Sequence, residues 1–215
     1  MVASSQSTTQ PIQGATVSRP QQDFIFPDSL PRRGSAITRW LGQTILRLGG
    51  WRYQVEFPDT PKFVVAGGPH TSNWDAVWAI AFILATGLEI HFMAKAEIFP
   101  AWAGWFLRAV GGIAVNRQSP EGMVEQMVAE FQNREKFVLV VAPEGTRKKV
   151  ERWKSGFYRI AQAAAVPIVL GYLDYPQRIV GIGPTFQTTG AMEADMAAMR
   201  AYLEGHVTPR HPSRV

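Results

Sequence analysis

Short apolar runs alternate with longer helical segments from residue 63 onward. The predicted strands are residues 63–67, 90–94, 113–116, 137–142, 168–173 and 179–182. The predicted helices are residues 74–85, 121–134, 153–165 and 193–204. This alternation is typical of a mainly parallel sheet, whose strands are buried on both sides. We therefore expect one α/β domain with a twisted sheet covered by helices on both faces.

An amphipathic helix is predicted ahead of the sheet, over residues 35–51. Arg39, Gln43 and Arg47 fall on its polar face. Its apolar face carries Ile37, Trp40, Leu41, Ile45, Leu48 and Trp51. Such a helix can lie among anionic lipid headgroups, or it can cover the core of its own domain. A second apolar stretch, residues 101–112, leaves the same two alternatives open.

The chain divides into four parts. We expect a disordered tail over residues 1–34, a membrane-surface helix over 35–52, the α/β domain over 53–208 and a C-terminal tail over 209–215. The start is rich in Ser, Thr, Gln and Pro, which does not support a packed core or a signal peptide. The longest nearly uncharged apolar stretch, residues 76–88, is shorter than the roughly 18 to 20 residues that cross a bilayer. We expect a peripheral protein on the cytoplasmic side of a membrane, without a transmembrane span.

The formal net charge of +5 favours acidic partners, which include nucleic acid, anionic lipids and phosphorylated small molecules. The seven Trp favour a membrane surface, because indole rings suit the edge of a bilayer. Lys and Arg are scattered and form no nucleic-acid-binding module, so no nucleic-acid partner is expected. The absence of Cys excludes disulfides and thiolate catalysis.

Polar residues follow the predicted strands where each strand ends. They are His70, Lys95, Arg117, and Glu144 with Arg147. Ligands of open parallel sheets bind outside the carboxyl ends of the strands. The sequence therefore predicts that these residues converge on one site.

His70 lies in a turn after the first of these strands, in the segment GGPHTSNWDAV, and Asp75 lies in the first turn of the next helix. A carboxylate at this spacing can fold back to hold Nδ1–H of the imidazole, which leaves the other nitrogen free to accept a proton. The pair can therefore serve as a general base toward a hydroxyl. In the alternative, Asp75 only caps its helix and His70 only packs in a turn.

The segment VVAPEGTRKK predicts a buried strand that ends at Pro143 and turns through Gly145. Thr146 and Arg147 then offer a hydroxyl and a guanidinium beside backbone N–H groups, and two lysines follow. Such a turn suits a phosphate group. The alternative is a solvated basic turn.

These segments, in this order, resemble the glycerolipid acyltransferase family, typified by bacterial 1-acyl-sn-glycerol-3-phosphate acyltransferases. The likeness spans residues 63–175. The family's blocks correspond to His70-Thr-Ser-Asn-Trp-Asp75, Gly112-Ile-Ala-Val-Asn-Arg117, Pro143-Glu-Gly-Thr-Arg147 and Val166-Pro-Ile168. Pro69, Ala142 and Lys148 depart from residues that are common in the family, which puts the acceptor in doubt more than the reaction.

The resemblance implies acyl transfer from acyl-CoA or acyl carrier protein to the hydroxyl of a lysophospholipid, foremost 1-acyl-glycerol-3-phosphate, which would give phosphatidic acid. It implies no cofactor, no metal and no covalent acyl-enzyme. His70 would be the base and Asp75 its orienting partner. The acceptor's phosphate site would consist of Arg117, Glu144, Gly145, Thr146 and Arg147, with Lys95 as a further contributor. An oxyanion donor is expected near the His70 turn.

Three other functions stay open on the sequence alone. The first is acyl transfer to another lysophospholipid or to a lyso-aminolipid. The second is a non-catalytic protein that binds lipid at a membrane surface. The third, a metal-dependent hydrolase, is disfavoured because one His and one Asp are too few ligands.

Overall fold

The computed structural model describes residues 26–98, 104–116, 119–146 and 150–214. Seven strands form one sheet in the order β1-β7-β6-β2-β5-β3-β4. The strands are β1 Arg52–Val55, β2 Lys62–Gly67, β3 His91–Lys95, β4 Gly112–Val115, β5 Phe137–Val141, β6 Ile168–Asp174 and β7 Ile179–Phe186. The helices are α1 Ala36–Leu48, α2 Asn73–Thr86, α3 Gly104–Ala109, α4 Pro120–Asn133, α5 Gly156–Ala163 and α6 Met192–His206. Two short 3-10 helices cover Ala96–Ile98 and Pro212–Arg214.

The predicted sheet and its two helical layers are confirmed. Strands β4, β3, β5, β2 and β6 run parallel to one another. Strand β7 is antiparallel to β6, and the edge strand β1 is parallel to β7, so these two strands run opposite to the rest. The core clusters show both faces covered: one contains buried residues of α4, α5 and α6, and the other contains buried residues of α1 and α2. The side-chain alternation of β2 divides accordingly, with Val64 and Ala66 in the first cluster and Phe63 and Val65 in the second.

The amphipathic helix α1 covers the core and exposes apolar side chains at the same time. Ser35 caps its start, and Leu46 is buried. Gly42 brings α1 against α2, since a Cβ at this position would lie 2.3 Å from the backbone nitrogen of Ala85. The side chains that remain exposed on α1 are Ile37, Trp40, Leu41 and Leu48.

Both chain ends pack more extensively than the predicted tails. Residues 1–25 lie outside the described residues. Within residues 26–34, Phe26 and Leu30 are buried in the core, and Arg33 pairs with Glu89 at 2.6 Å. Residues 26–34 therefore pack on the domain, although the tail was predicted over residues 1–34. Near the other end, the backbone N–H of His211 donates to the side-chain oxygen of Thr71 at 3.3 Å.

Candidate active site

The carboxyl edge of the sheet brings the predicted segments to neighbouring positions. Strand β2 lies between β5 and β6, so the turn that carries His70 lies beside the turn that carries Glu144. Lys95 ends β3, on the other side of β5, and its side chain is exposed. Arg117 and Arg147 lie outside the described residues. The described part of the site therefore consists of the His70 turn, the start of α2 and the turn after β5.

His70 faces Asp75 with its Nδ1 atom. Nδ1 lies 3.8 Å from Oδ2 of Asp75, and 34% of the His70 side chain is exposed. This distance exceeds that of a hydrogen bond, so the contact is electrostatic in this state. Nε2 is turned toward Gly67, since a Cβ at Gly67 would lie 4.0 Å from it. Nε2 thus lies near Gly67, which also lines the apolar cavity beside His70.

Asp75 is buried and held through both of its oxygens. Oδ2 accepts the backbone N–H groups of Thr71 and Ser72 at 2.7 and 2.8 Å, and Oδ1 accepts the hydroxyl of Tyr175 at 2.6 Å. Burial by itself would raise the pKa of Asp75, but His70 and these three donors outweigh it and hold the pKa below its usual value. Asp75 is therefore an anion at neutral pH. The contact with Ser72 also closes a capping box, so Asp75 caps α2 as well as facing His70.

Glu144 accepts a hydrogen bond from the backbone of the His70 turn. Its Oε2 accepts the backbone N–H of His70 at 2.8 Å, and the residue is only 9% exposed. Burial raises the pKa of Glu144, which the N–H of His70 partly opposes. The expected contact was with a phosphate, which a carboxylate would repel. The structure instead gives Glu144 a contact that fixes the backbone next to the imidazole.

The turn after β5 carries a cation that was not predicted. Gly145 adopts a left-handed φ of 61°, and Thr146 is exposed. The side chain of Lys154 lies over Gly145, so that a Cβ there would be 2.8 Å from Nζ. The backbone N–H of Lys154 donates to Pro143 at 2.9 Å, which ties the two segments together. Residues 153–165 were predicted as a helix, but α5 begins at Gly156, and this leaves Lys154 free to fold over the turn.

An apolar cavity of about 110 Å³ opens beside His70, between the sheet and α2. Phe82 and Ile83 of α2 form one wall, and strands of the sheet form the other. Tyr172 lies against Gly181 in the neighbouring strand, because a Cβ at Gly181 would be 2.0 Å from its ring. Burial raises the pKa of Tyr172 to about 12, so its hydroxyl stays neutral where the side chain lines the cavity. The cavity therefore offers apolar surface next to the imidazole of His70.

Sequence reasoning missed Tyr175 and the segment that follows α6. Tyr175 comes directly after β6 and therefore lies at the same carboxyl edge as His70. Its backbone N–H donates to Thr208 at 3.0 Å, and the guanidinium of Arg210 lies 5.5 Å from the ring of Trp74. The strand-end rule that selected His70 also applies to Tyr175. A fold-back of residues 208–211 over the site has no local sequence signal.

Three comparisons bear on these observations. The family model described as Acyltransferase matches residues 54–170, which is more than half of the chain and includes all four sequence blocks. A solved structure, that of the 1-acyl-sn-glycerophosphate (LPA) acyltransferase PlsC from Thermotoga maritima, has the same fold. The TM-score is 0.54 at 18% identity, and the match covers 80% of each chain. A comparison with curated proteins gives no match. The family predicted from the sequence blocks is thus confirmed, and the chain belongs to the acyltransferase family of enzymes that transfer acyl groups.

Proposed function

We propose that this acyltransferase moves a fatty acyl group from acyl-CoA or acyl carrier protein to the free hydroxyl of a lysophospholipid. The preferred acceptor is 1-acyl-glycerol-3-phosphate, and the product is phosphatidic acid. The proposal depends on one observation, that His70, with Asp75 behind it, borders an apolar cavity. The Thermotoga maritima enzyme, named for lysophosphatidic acid, supports this choice of acceptor.

His70 acts as the general base of the reaction. The acceptor hydroxyl gives its proton to Nε2 while its oxygen attacks the carbonyl carbon of the thioester, and the carbonyl electron pair moves to oxygen. When this tetrahedral intermediate collapses, the C–S bond breaks and the imidazolium returns the proton to the departing thiolate. The products are an ester and a free thiol. Asp75 keeps its negative charge throughout and stabilises the imidazolium.

The oxyanion of the intermediate needs a donor other than the backbone N–H groups of residues 70–72. The N–H of His70 already donates to Glu144, and those of Thr71 and Ser72 donate to Asp75. These three groups hold the site in place and have no hydrogen atom left to offer. The expectation of a donor near the His70 turn is therefore not met by this stretch of backbone.

Cations around the turn after β5 bind the acceptor's phosphate. Lys154 supplies an ammonium over Gly145, next in sequence to Glu144, whose carboxylate accepts the backbone N–H of His70. Within the described ranges, no carboxylate pairs with this ammonium. By family resemblance, Arg117 and Arg147 complete the site, and Lys95 contributes from the neighbouring strand end.

The outer face of α1 and α2 docks on an anionic membrane surface. Its exposed large apolar side chains are Ile37, Trp40, Leu41 and Leu48 of α1 with Trp74, Val77 and Ile80 of α2. Exposed apolar side chains that cluster on one face are a feature of membrane and protein contact sites. No helix in the described ranges is long and apolar enough to cross a membrane.

Turnover on vesicles tests the proposal. Wild-type protein should acylate lysophosphatidic acid carried in anionic vesicles, and His70→Ala should reduce kcat by about 10² to 10⁴. Asp75→Asn should also reduce kcat strongly, because the amide cannot stabilise the imidazolium. Acylation that survives His70→Ala would exclude His70 as the general base. A wild type that binds the vesicles but acylates no lysolipid would favour a non-catalytic lipid-binding protein.

Two control variants separate chemistry from folding. Ser72→Ala removes the side-chain cap of α2 at about 1 kcal/mol and leaves the Asp75 carboxylate in place, so it should lower stability more than kcat. His206→Ala changes an exposed histidine on α6 and should turn over normally. A panel of lysophospholipids and lyso-aminolipids, each with both donors, then identifies the acceptor. Faster turnover of a lyso-aminolipid would overturn the assignment to lysophosphatidic acid.

A further inference from the structure

The carboxylate of Asp75 is fixed from two directions. The backbone N–H groups of Thr71 and Ser72 hold Oδ2, which is also the oxygen nearest His70. The hydroxyl of Tyr175 holds Oδ1 at 2.6 Å. Asp75 is 1% exposed, so water does not replace this donor easily. The two oxygens thus have different partners, and among the described residues the Tyr175 hydroxyl is the side-chain donor that holds Oδ1.

Tyr175 is itself held through its backbone and through its ring. Its backbone N–H donates to Thr208 at 3.0 Å, one residue beyond the end of β6. Its ring meets Trp51 edge to face, with 5.1 Å between centroids, and Trp51 stacks on Trp78 of α2 at 4.9 Å. Burial and the charge of Asp75 raise the pKa of Tyr175, so the hydroxyl keeps its proton and always donates. The donor is therefore fixed in place as well as in protonation state.

We infer that Tyr175 is a positioning residue of the acyltransferase site, which orients the carboxylate of Asp75 so that Oδ2 faces Nδ1 of His70. The inference rests on the proposed function of the His70–Asp75 pair. Without the hydroxyl, Oδ1 would be a buried acceptor without its donor, and the carboxylate would rotate to find another. Rotation moves Oδ2 away from Nδ1 and leaves the imidazole without a fixed partner.

The effect falls on the chemical step and spares substrate binding. Tyr175 does not line the cavity beside His70, whereas Tyr172 does. A change at Tyr175 therefore leaves the cavity walls intact and alters only the orientation of Asp75. Its loss should lower kcat while KM for donor and acceptor stays constant.

Tyr175→Phe tests this role, because it keeps the ring against Trp51 and removes only the hydroxyl. We expect kcat to fall by about tenfold or more, as part of the roughly 10² to 10⁴ that a general base contributes. Tyr158→Phe is the matched control. The hydroxyl of Tyr158 also donates to a carboxylate, that of Asp195 at 2.7 Å, but among the helices that cover the opposite face of the sheet. This control should lose stability and keep the wild-type kcat.

The tautomer of His70 gives a readout that needs no substrate. Nitrogen-15 NMR distinguishes Nδ1–H from Nε2–H, and the spectrum of His70→Gln identifies which signal belongs to His70. The wild type should favour Nδ1–H, which faces Asp75, and Tyr175→Phe should shift the equilibrium toward Nε2–H. Tyr158→Phe should leave the signal unchanged.

The outcomes separate this inference from the proposed function. A wild-type kcat in Tyr175→Phe, or an equal loss in Tyr158→Phe, would overturn the positioning role while the acyl transfer stands. If the wild type acylates no lysolipid, the proposed function fails and the NMR comparison alone decides. Unchanged His70 nitrogen shifts in Tyr175→Phe would then overturn the inference, and a shift toward Nε2–H would sustain it.

Discussion

His91 is a buried histidine at the amino end of β3, opposite the edge that carries His70. Its Nε2 lies 3.2 Å from a guanidinium nitrogen of Arg134 and 3.7 Å from a carboxylate oxygen of Glu89. Within the described residues, its Nδ1 has no hydrogen-bond partner. Burial lowers the pKa of His91, and so does Arg134, while Glu89 opposes them. The folded protein therefore favours the neutral form of the imidazole.

Stability should depend on pH through this residue. Because its folded pKa lies below the unfolded value near about 6.5, the unfolded chain takes up a proton first as the pH falls. The contribution of His91 to the free energy of unfolding is complete above the unfolded pKa, and it is lost as the pH falls through the folded pKa. Each pH unit that separates the folded pKa from the unfolded pKa corresponds to about 1.4 kcal/mol of free energy of unfolding. Arg33 and Glu130, also near the imidazole, have opposite effects on this pKa.

Urea unfolding of the wild type and His91→Leu between pH 8 and pH 5 measures the effect. The wild type should lose free energy of unfolding relative to the variant below about pH 6.5. Toward pH 8 the imidazole is neutral in both the folded and the unfolded state. The difference in free energy of unfolding between the two proteins should then no longer change with pH. Parallel curves across the whole range would show that His91 does not couple protons to folding.

Among the secondary-structure elements, α1 and α2 pack closely against each other. A Cβ at Gly42 would lie 2.3 Å from the backbone nitrogen of Ala85 and 2.6 Å from the carbonyl oxygen of Ala81. Both obstacles are backbone atoms of α2, which cannot move aside without moving the helix. Only glycine at this position allows the crossing.

Gly42→Ala should therefore destabilise the protein by about 1 to 3 kcal/mol, the range for an overpacked core. Gly205→Ala is the control, because a Cβ there meets nothing within 4 Å. It should be neutral, or stabilise α6 by up to about 1 kcal/mol. Thermal unfolding of both variants measures the difference, and an equally stable Gly42→Ala would contradict the close crossing.

Periodicity predicted the long elements well and the edge of the sheet poorly. Strand β1 was missed, because Arg52–Val55 is short and half-buried throughout, without an alternating pattern. The direction of β7 is set by its short connection to β6, in which the N–H of Arg178 donates to Tyr175 at 3.2 Å. A connection of this length joins antiparallel strands, whereas parallel strands need a crossover.

The candidate site was predictable only in part. His70 and Asp75 are close in sequence, and a helix start between them forces the carboxylate back toward the imidazole. Tyr175 and Lys154 reach the site from distant segments, and neither residue type marks itself as functional in a sequence. Their roles depend on strand order and on where α5 begins, which local patterns do not determine.

At the scale of the whole molecule, the helical layers on the two faces of the sheet differ in how much apolar surface they expose to solvent. The layer of α4, α5 and α6 buries a large apolar cluster against the sheet. The layer of α1 and α2 also packs on the sheet but leaves Trp40 64% exposed and Leu48 85% exposed. The proposed membrane contact follows from this asymmetry.

Replacing both Trp40 and Leu48 by Ser should weaken binding to anionic vesicles by at least about tenfold, because each buried apolar side chain contributes about 1.5 to 3 kcal/mol. Vesicle sedimentation measures this. The control replaces Ala197 and Ala198, exposed on α6, by Ser and should bind as the wild type does. Turnover of a short-chain lysolipid in solution should be equal in all three proteins. Unchanged sedimentation of the double variant would place the membrane contact elsewhere.

Trp74 and Asp75 are consecutive residues, yet the first is 49% exposed on the outer face of α2 and the second is 1% exposed beneath it. A helix with its side chains is only about 10 Å across. If α1 and α2 dock on a membrane as proposed, the imidazole would lie at the depth of the lipid headgroups. A lysolipid can present its hydroxyl while its tail stays in the leaflet, so the acceptor need not be lifted into water before it reacts.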